Sequence, residues 1–137
     1  MRGRESEMSA PPPVPPRNLV AMLQVTDMAR SLAFYSRLGF ELRNTHVPDG
    51  TDDDGAPVWA WLEGGAGQLM LTKASEPVDT GKQGILFYLY FDDIAAVHAR
   101  LGAEGWPVGP MSHPFYCPRG EFPLADPDGY RLMLTHT

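Results

Sequence analysis

A single cysteine, Cys117, stands in 137 residues, so neither an internal disulfide nor a cysteine-based zinc centre can form. No histidine is patterned around it as an activating base, and it reads as a small apolar filler rather than a nucleophile. Basic residues are also few: 11 Lys plus Arg face 17 Asp plus Glu, for a formal charge of −6. A chain without a concentrated basic face does not suit nucleic acid, whose phosphates must be neutralised. The mild negative charge reads first as a solubility feature and is compatible with attraction of small cations. Long apolar runs are missing too. The longest, Ile85 to Phe91, falls far short of a membrane span. Glu5 and Glu7 occupy the place where a secretion signal would carry basic and apolar residues, so a cytoplasmic location is the expectation.

What is present is an ordinary globular composition, 43% hydrophobic and 20% charged, at a length suited to one domain. Residues 1–17 read as a disordered tail. Pro11, Pro12, Pro13, Pro15 and Pro16 favour extended polyproline backbone, and little else there could be buried. From Asn18 the pattern becomes regular. An apolar strand, Leu19 to Val25, stops at Thr26-Asp27, whose side chains can cap a helix. Met28, Leu32, Tyr35 and Leu38 recur at helical spacing before Gly39 ends the helix. Phe40 to Val47 reads as a strand, and Pro48 to Pro57 with its aspartates as a solvated loop. Val58 to Leu62 and Gln68 to Lys73 read as a hairpin.

The order then repeats: strand Ile85 to Phe91, cap Asp92-Asp93, helix Ile94 to Glu104, Gly105, and a strand within Trp106 to His113. A last hairpin, Glu121 to Ala125 and Tyr130 to His136, surrounds Asp126-Pro127-Asp128-Gly129. Superposing Asp27 on Asp93 brings Gly39 onto Gly105 and Phe40 onto Trp106 without a gap, which points to an internal duplication. The expected fold is therefore α+β. Two tandem βαβββ modules, 18–75 and 84–137, form one domain over residues 18–137, a curved mixed sheet with helices on its outer face.

The segment Gln24-Val25-Thr26-Asp27-Met28-Ala29-Arg30-Ser31-Leu32-Ala33-Phe34-Tyr35, followed by Leu38-Gly39-Phe40, resembles the opening signature of the glyoxalase/bleomycin resistance/dioxygenase (vicinal oxygen chelate) superfamily. The closing segment Glu121-Phe122-Pro123-Leu124-Ala125-Asp126-Pro127-Asp128-Gly129-Tyr130 resembles its last hairpin. This resemblance supports the fold and says little about the reaction, because the superfamily hosts isomerases, dioxygenases, epimerases, thiol transferases and drug-binding proteins. In catalytic members it implies a divalent metal held by His, Glu or Gln from four strands. Carried over by motif, the ligand positions fall on Val20, Met70, Leu86 and Met133, none of which offers a hard donor. Shifting the register by one or two residues recovers no histidine or carboxylate. The expectation is thus no metal and no other cofactor. His98 is expected to face water mid-helix, and His46, His113 and His136 show no ligand spacing.

If the former ligand positions face the concave side, strand alternation places Met22, Gln24, Met70, Tyr88, Tyr90 and Met133 there. The duplication adds Trp59 and Trp61 opposite Glu121. Such a wall can stack on planar or cationic ligands, adapt through methionine and orient through a few polar tips. The bland alternative is that these residues fill a small core or a dimer interface. The similarity is nearest in character to the metal-free bleomycin-resistance branch, which implies a homodimer with ligand crevices between subunits. The expected function is sequestration of an antibiotic or an aromatic or cationic metabolite. A metal-independent lyase or isomerase using Glu121 as acid or base is the alternative, although no recognisable partner for Glu121 lies close to it in sequence. A metal-dependent glyoxalase or dioxygenase ranks third, for want of donors.

Overall fold

A computed structural model describes residues 11–48 and 56–136. The first module contains β1 (Ala21–Val25), α1 (Met28–Arg37), β2 (Glu41–His46), β3 (Trp59–Gly64) and β4 (Gly67–Lys73). The second contains β5 (Phe87–Tyr90), α2 (Ile94–Ala103), β6 (Glu121–Ala125) and β7 (Arg131–Thr135). Hydrogen bonding organises one mixed sheet per module, in the orders β1-β4-β3-β2 and β5-β7-β6. The first strand of each module runs parallel to the last, β1 beside β4 and β5 beside β7. The acidic stretch Asp49 to Asp54, read as a loop, lies outside the described residues. From Pro11 to Leu19 the chain is exposed throughout.

The duplication holds at the level of individual hydrogen bonds. Asp27 accepts the Arg30 amide at 3.1 Å and Asp93 accepts the Ala96 amide at 3.1 Å, so both helices begin on the same capping interaction. Both end beside a glycine in the left-handed region, Gly39 at φ 103° and Gly105 at φ 86°. Phe34 then stacks on Trp106 with centroids 4.7 Å apart, which packs one module's helix against the other's post-helix residue.

Alternation along the strands divides the helix-covered core face from the opposite, open face as strand geometry requires. Leu23, Val25, Ala60, Leu62, Leu69 and Leu71 are buried in the first module, and Phe122, Leu124, Leu132 and Leu134 in the second. They join Met28, Tyr35, Ile94 and Leu101 of the helices in a single hydrophobic cluster. Polar bonds fasten the modules together. Buried Tyr35 donates its hydroxyl to Asp126 Oδ2 at 2.7 Å, Tyr130 donates to the Gln24 carbonyl at 3.0 Å, and the Thr26 amide meets Asp128 Oδ1 at 3.1 Å.

Two expectations need correction. Trp106 to His113 does not form a ladder strand; its backbone pairs with β6 at an isolated bridge, Ser112 to Glu121, and through the Gly109 amide bonded to the Pro123 carbonyl at 3.1 Å. Pro107 and Pro110 lack the donors that a continuous ladder needs. His98 does not simply face water. It is half-buried, sits edge-on to Phe122 at 4.6 Å, and bonds the Gly109 carbonyl through Nε2 at 2.9 Å, so it ties that proline-broken segment to α2.

Candidate functional site

Register places the predicted wall residues in rows across the two sheets. In the first sheet Met22, Met70 and Trp61 are neighbours in one row, and Gln24, Thr72 and Trp59 in the next. In the second, Tyr88, Met133 and Pro123 form one row, and Tyr90, Thr135 and Glu121 another. The sequence positions chosen by alternation therefore do share one face within each sheet. That face is open in the single chain: Met22 is 53% exposed, Tyr88 44% and Tyr90 65%. Trp59, Trp61, Met70 and Met133 are half-buried.

The polar fittings of this face came only with the structure. Trp61 donates its indole N–H to Glu63 Oε2 at 3.2 Å. Arg43, at the irregularity in the β2–β3 pairing, reaches Glu63 Oε1 at 3.3 Å and Glu41 Oε1 at 2.8 Å. Glu63 thus has its own cation and serves to orient the indole.

Glu121 is different. It is 5% exposed, and its partners are hydroxyls: Tyr116 donates to Oε2 at 2.9 Å, while Thr135 Oγ1 lies at a long 3.4 Å from Oε1. The hydrogen bond to Glu121, together with partial burial and the carboxylate's charge, raises the Tyr116 phenol above its usual pKa, so the hydroxyl stays protonated as the donor. Contrary to the expectation of no nearby partner, Tyr116 precedes Glu121 by only five residues. The bracketing Pro114 and Pro118 and the turn bonds Cys117 N to Pro114 O (2.9 Å) and Gly120 N to Cys117 O (3.0 Å) fold the loop back. Cys117 is fully buried, as expected of a filler, but its Sγ also lies 3.0 Å from Thr135 Oγ1 and 3.2 Å from the Gly120 carbonyl.

A separate cavity of about 660 Å³ opens between the modules, flanked by the unpaired edges of β1 and β5. Leu23, Leu38, Phe40, Gln68, Leu89 and Leu132 help to line it. Of the predicted ligand-contacting residues it includes Tyr88 and Tyr90; Met22, Gln24, Trp59, Trp61, Met70, Glu121 and Met133 lie outside its lining. The volume is in the range of small-molecule sites.

The positions that the resemblance assigns to metal ligands do not fit a cation. Val20 and Leu86 stand just ahead of β1 and β5, and Met70 and Met133 lie in the rows above, all without a hard donor. Among the described residues no three of His, Cys, Asp and Glu converge.

The fold has many solved relatives. A bleomycin resistance determinant encoded on the transposon Tn5 superposes with a TM-score of 0.65 at 21% identity, covering 89% of this chain and 98% of that one. A bleomycin-binding protein complexed with bleomycin gives 0.62 at 22% identity, over 89% and 99% of the two chains. TioX from Micromonospora sp. ML1 gives 0.64 at 20%, over 88% and 95%. No curated protein matches. Residues 18–134 match the sequence pattern of a single superfamily across nearly the whole described chain. The chain belongs to the glyoxalase/bleomycin resistance protein/dioxygenase superfamily.

Proposed function

We propose that the protein binds a planar aromatic or cationic small molecule on the sheet faces opposite its helices, without a metal ion, and sequesters it. The observation that carries this reading is the content of the face. Trp59 and Trp61 share a face with Met22 and Met70 in the first sheet, and Tyr88 and Tyr90 share one with Met133 in the second, while the strand positions that the resemblance assigns to metal ligands hold valine, leucine and methionine. Aromatic faces supply stacking area and methionines conform to irregular shapes, so affinity needs no coordinated ion. A structural relative of 22% identity is a bleomycin-binding protein, which makes bleomycin one natural probe.

The face is wide open in one chain, and Phe115, 96% exposed, and Tyr116, 55% exposed, extend it. Apolar surface of this kind suits a partner surface, and we infer a homodimer in which a second copy closes the ligand site. Tryptophan fluorescence quenching by N-methylacridinium and by bleomycin tests the reading, with elemental analysis of the same preparation. Quenching without stoichiometric metal is the expected result. Stoichiometric nickel, zinc, iron or manganese would overturn it, as would no response to any planar probe.

A second reading has one observation in its favour. The Glu121–Tyr116 pair joins a buried carboxylate to a phenol, a pairing that could shuttle a proton in a metal-independent lyase or isomerase. Turnover of a substrate that is abolished in Glu121→Gln while binding persists would put that reading first.

A further inference from the structure

We propose that Pro11 to Arg17 is a docking peptide for a separate protein, one that carries an SH3-type groove lined by aromatic side chains and closed at one end by a carboxylate. The inference goes beyond the ligand-binding reading and concerns a segment which that reading does not use. The segment runs Pro11-Pro12-Pro13-Val14-Pro15-Pro16-Arg17. Its prolines hold φ near −65° and favour the left-handed polyproline II helix before any partner arrives. Little conformational entropy is then left to lose on binding.

The spacing of the side chains selects the kind of groove. A polyproline II helix turns once every three residues and rises about 3.1 Å per residue. Pro12 and Pro15 therefore lie on one ridge, Pro11, Val14 and Arg17 on a second, and Pro13 and Pro16 on the third. Two adjoining ridges can seat between aromatic rings while the third faces water. The guanidinium of Arg17 falls at the end of a seated ridge, where a carboxylate of the partner can accept its paired N–H donors. Only this end of the segment carries a charge, so the same contact fixes the direction in which the peptide lies.

The structure leaves the segment available. Every residue from Pro11 to Leu19 is exposed, and Val14, the apolar member of a seated ridge, is 91% exposed. The ion pairs among the described residues are made by Arg37, Arg43 and Arg100, and none uses Arg17. The fold takes hold immediately after the motif, at Asn18, whose side-chain amide donates to Gln68 on β4. The motif thus projects from a tethered residue, and its exposure sets it off the chain's own sheet faces.

The test titrates the full-length protein into a panel of isotope-labelled SH3 domains whose grooves carry an acidic pocket, read by NMR and calorimetry. Binding is expected, with shifted signals at the aromatic residues of the groove. Pro12→Ala and Pro15→Ala should each weaken it by about tenfold, and Arg17→Glu by about tenfold or more. Pro13→Ala and Pro16→Ala, on the outward ridge, should change it by less than about twofold. All five variants should unfold at the wild-type midpoint, because the substituted residues lie outside the packed fold, so lost binding cannot be misfolding. No binding across the panel, equal loss at all four prolines, or indifference to Arg17→Glu would overturn the proposal. Altered tryptophan fluorescence of the protein alone on deletion of residues 1–17, without binding to any SH3 domain, would overturn it in favour of a tail seated on the chain's own aromatic face. N-methylacridinium quenching should be the same in all five point variants, so the small-molecule reading stands or falls separately.

Discussion

Replacing Tyr35 with Phe removes one oxygen from the contact that locks the two modules together. Tyr35 is 1% exposed and Asp126 5% exposed, and their hydrogen bond measures 2.7 Å. Asp126 Oδ1 keeps the Asp128 and Tyr130 amides at 2.9 and 2.8 Å, but Oδ2 is left with no donor in the described structure. A hydrogen bond to a charged group contributes roughly 1.5–3 kcal/mol, and the orphaned oxygen keeps its desolvation cost. For a domain of this size that corresponds to a fall in Tm of roughly 5–15 °C. Burial already raises Asp126 above its usual carboxylate pKa, opposed first by the Tyr35 hydrogen bond, so its loss should push the carboxyl higher still.

Alkaline pH offers a second readout of the same contact. Burial, the Asp126 charge and the hydrogen bond hold the Tyr35 phenol far above its usual pKa. The unfolded chain loses this proton near pH ~10 while the folded protein keeps it. Above that pH the folded state binds more protons than the unfolded state. Stability contributed by Tyr35 is therefore complete below pH ~10 and declines above it, by up to about 1.4 kcal/mol per pH unit. Urea unfolding of wild type and Tyr35→Phe across pH 7 to ~11.5 measures both effects. The variant should be weaker at neutral pH and have a shallower alkaline limb. A loss below about 0.5 kcal/mol with an unchanged alkaline limb would refute the clamp.

Three further outcomes are expected. Trp61→Ala should weaken binding of N-methylacridinium by roughly tenfold, the scale of one lost aromatic stack, with little change in unfolding midpoint because Trp61 is only half-buried. Calorimetric titration checks the first part and urea unfolding the second. Gly120→Ala should destabilise by about 1–3 kcal/mol. Gly120 has φ 113°, and an added Cβ would lie 2.6 Å from Met111 Sδ; thermal unfolding reads the loss. His98→Leu should keep the packing on Phe122 but free the Gly109 carbonyl, costing about 1 kcal/mol and speeding amide exchange at Gly109, where hydrogen exchange would detect it.

Much of the fold could be read from the chain because its determinants are local. Caps such as Asp27 and Asp93 act three residues away, and strand alternation repeats every two, so the helix-covered core face and the open face separate by inspection. Trp106 to His113 misled because its apolar content suits a strand while Pro107 and Pro110 deny it the ladder. His98 misled because its acceptor, Gly109, belongs to that same irregular segment. The site was legible as a face but not in its polar detail. Trp61's orientation depends on Glu63 and on Arg43 at a pairing irregularity, which alternation does not predict. Tyr116 does carry a sequence signal, since Pro114 and Pro118 bracket a tight loop that turns back on Glu121. The inter-module cavity combines the ends of α1, the β3–β4 turn and β5, and no local pattern announces such a meeting.

Ligand binding by aromatic and thioether side chains, as proposed, needs no coordinated ion. Calorimetric titration of the full-length protein with N-methylacridinium, before and after exhaustive treatment with a strong chelator, tests this most directly. The same affinity in both titrations is the predicted result. Binding that vanishes on chelation and returns with a stoichiometric divalent ion would contradict it.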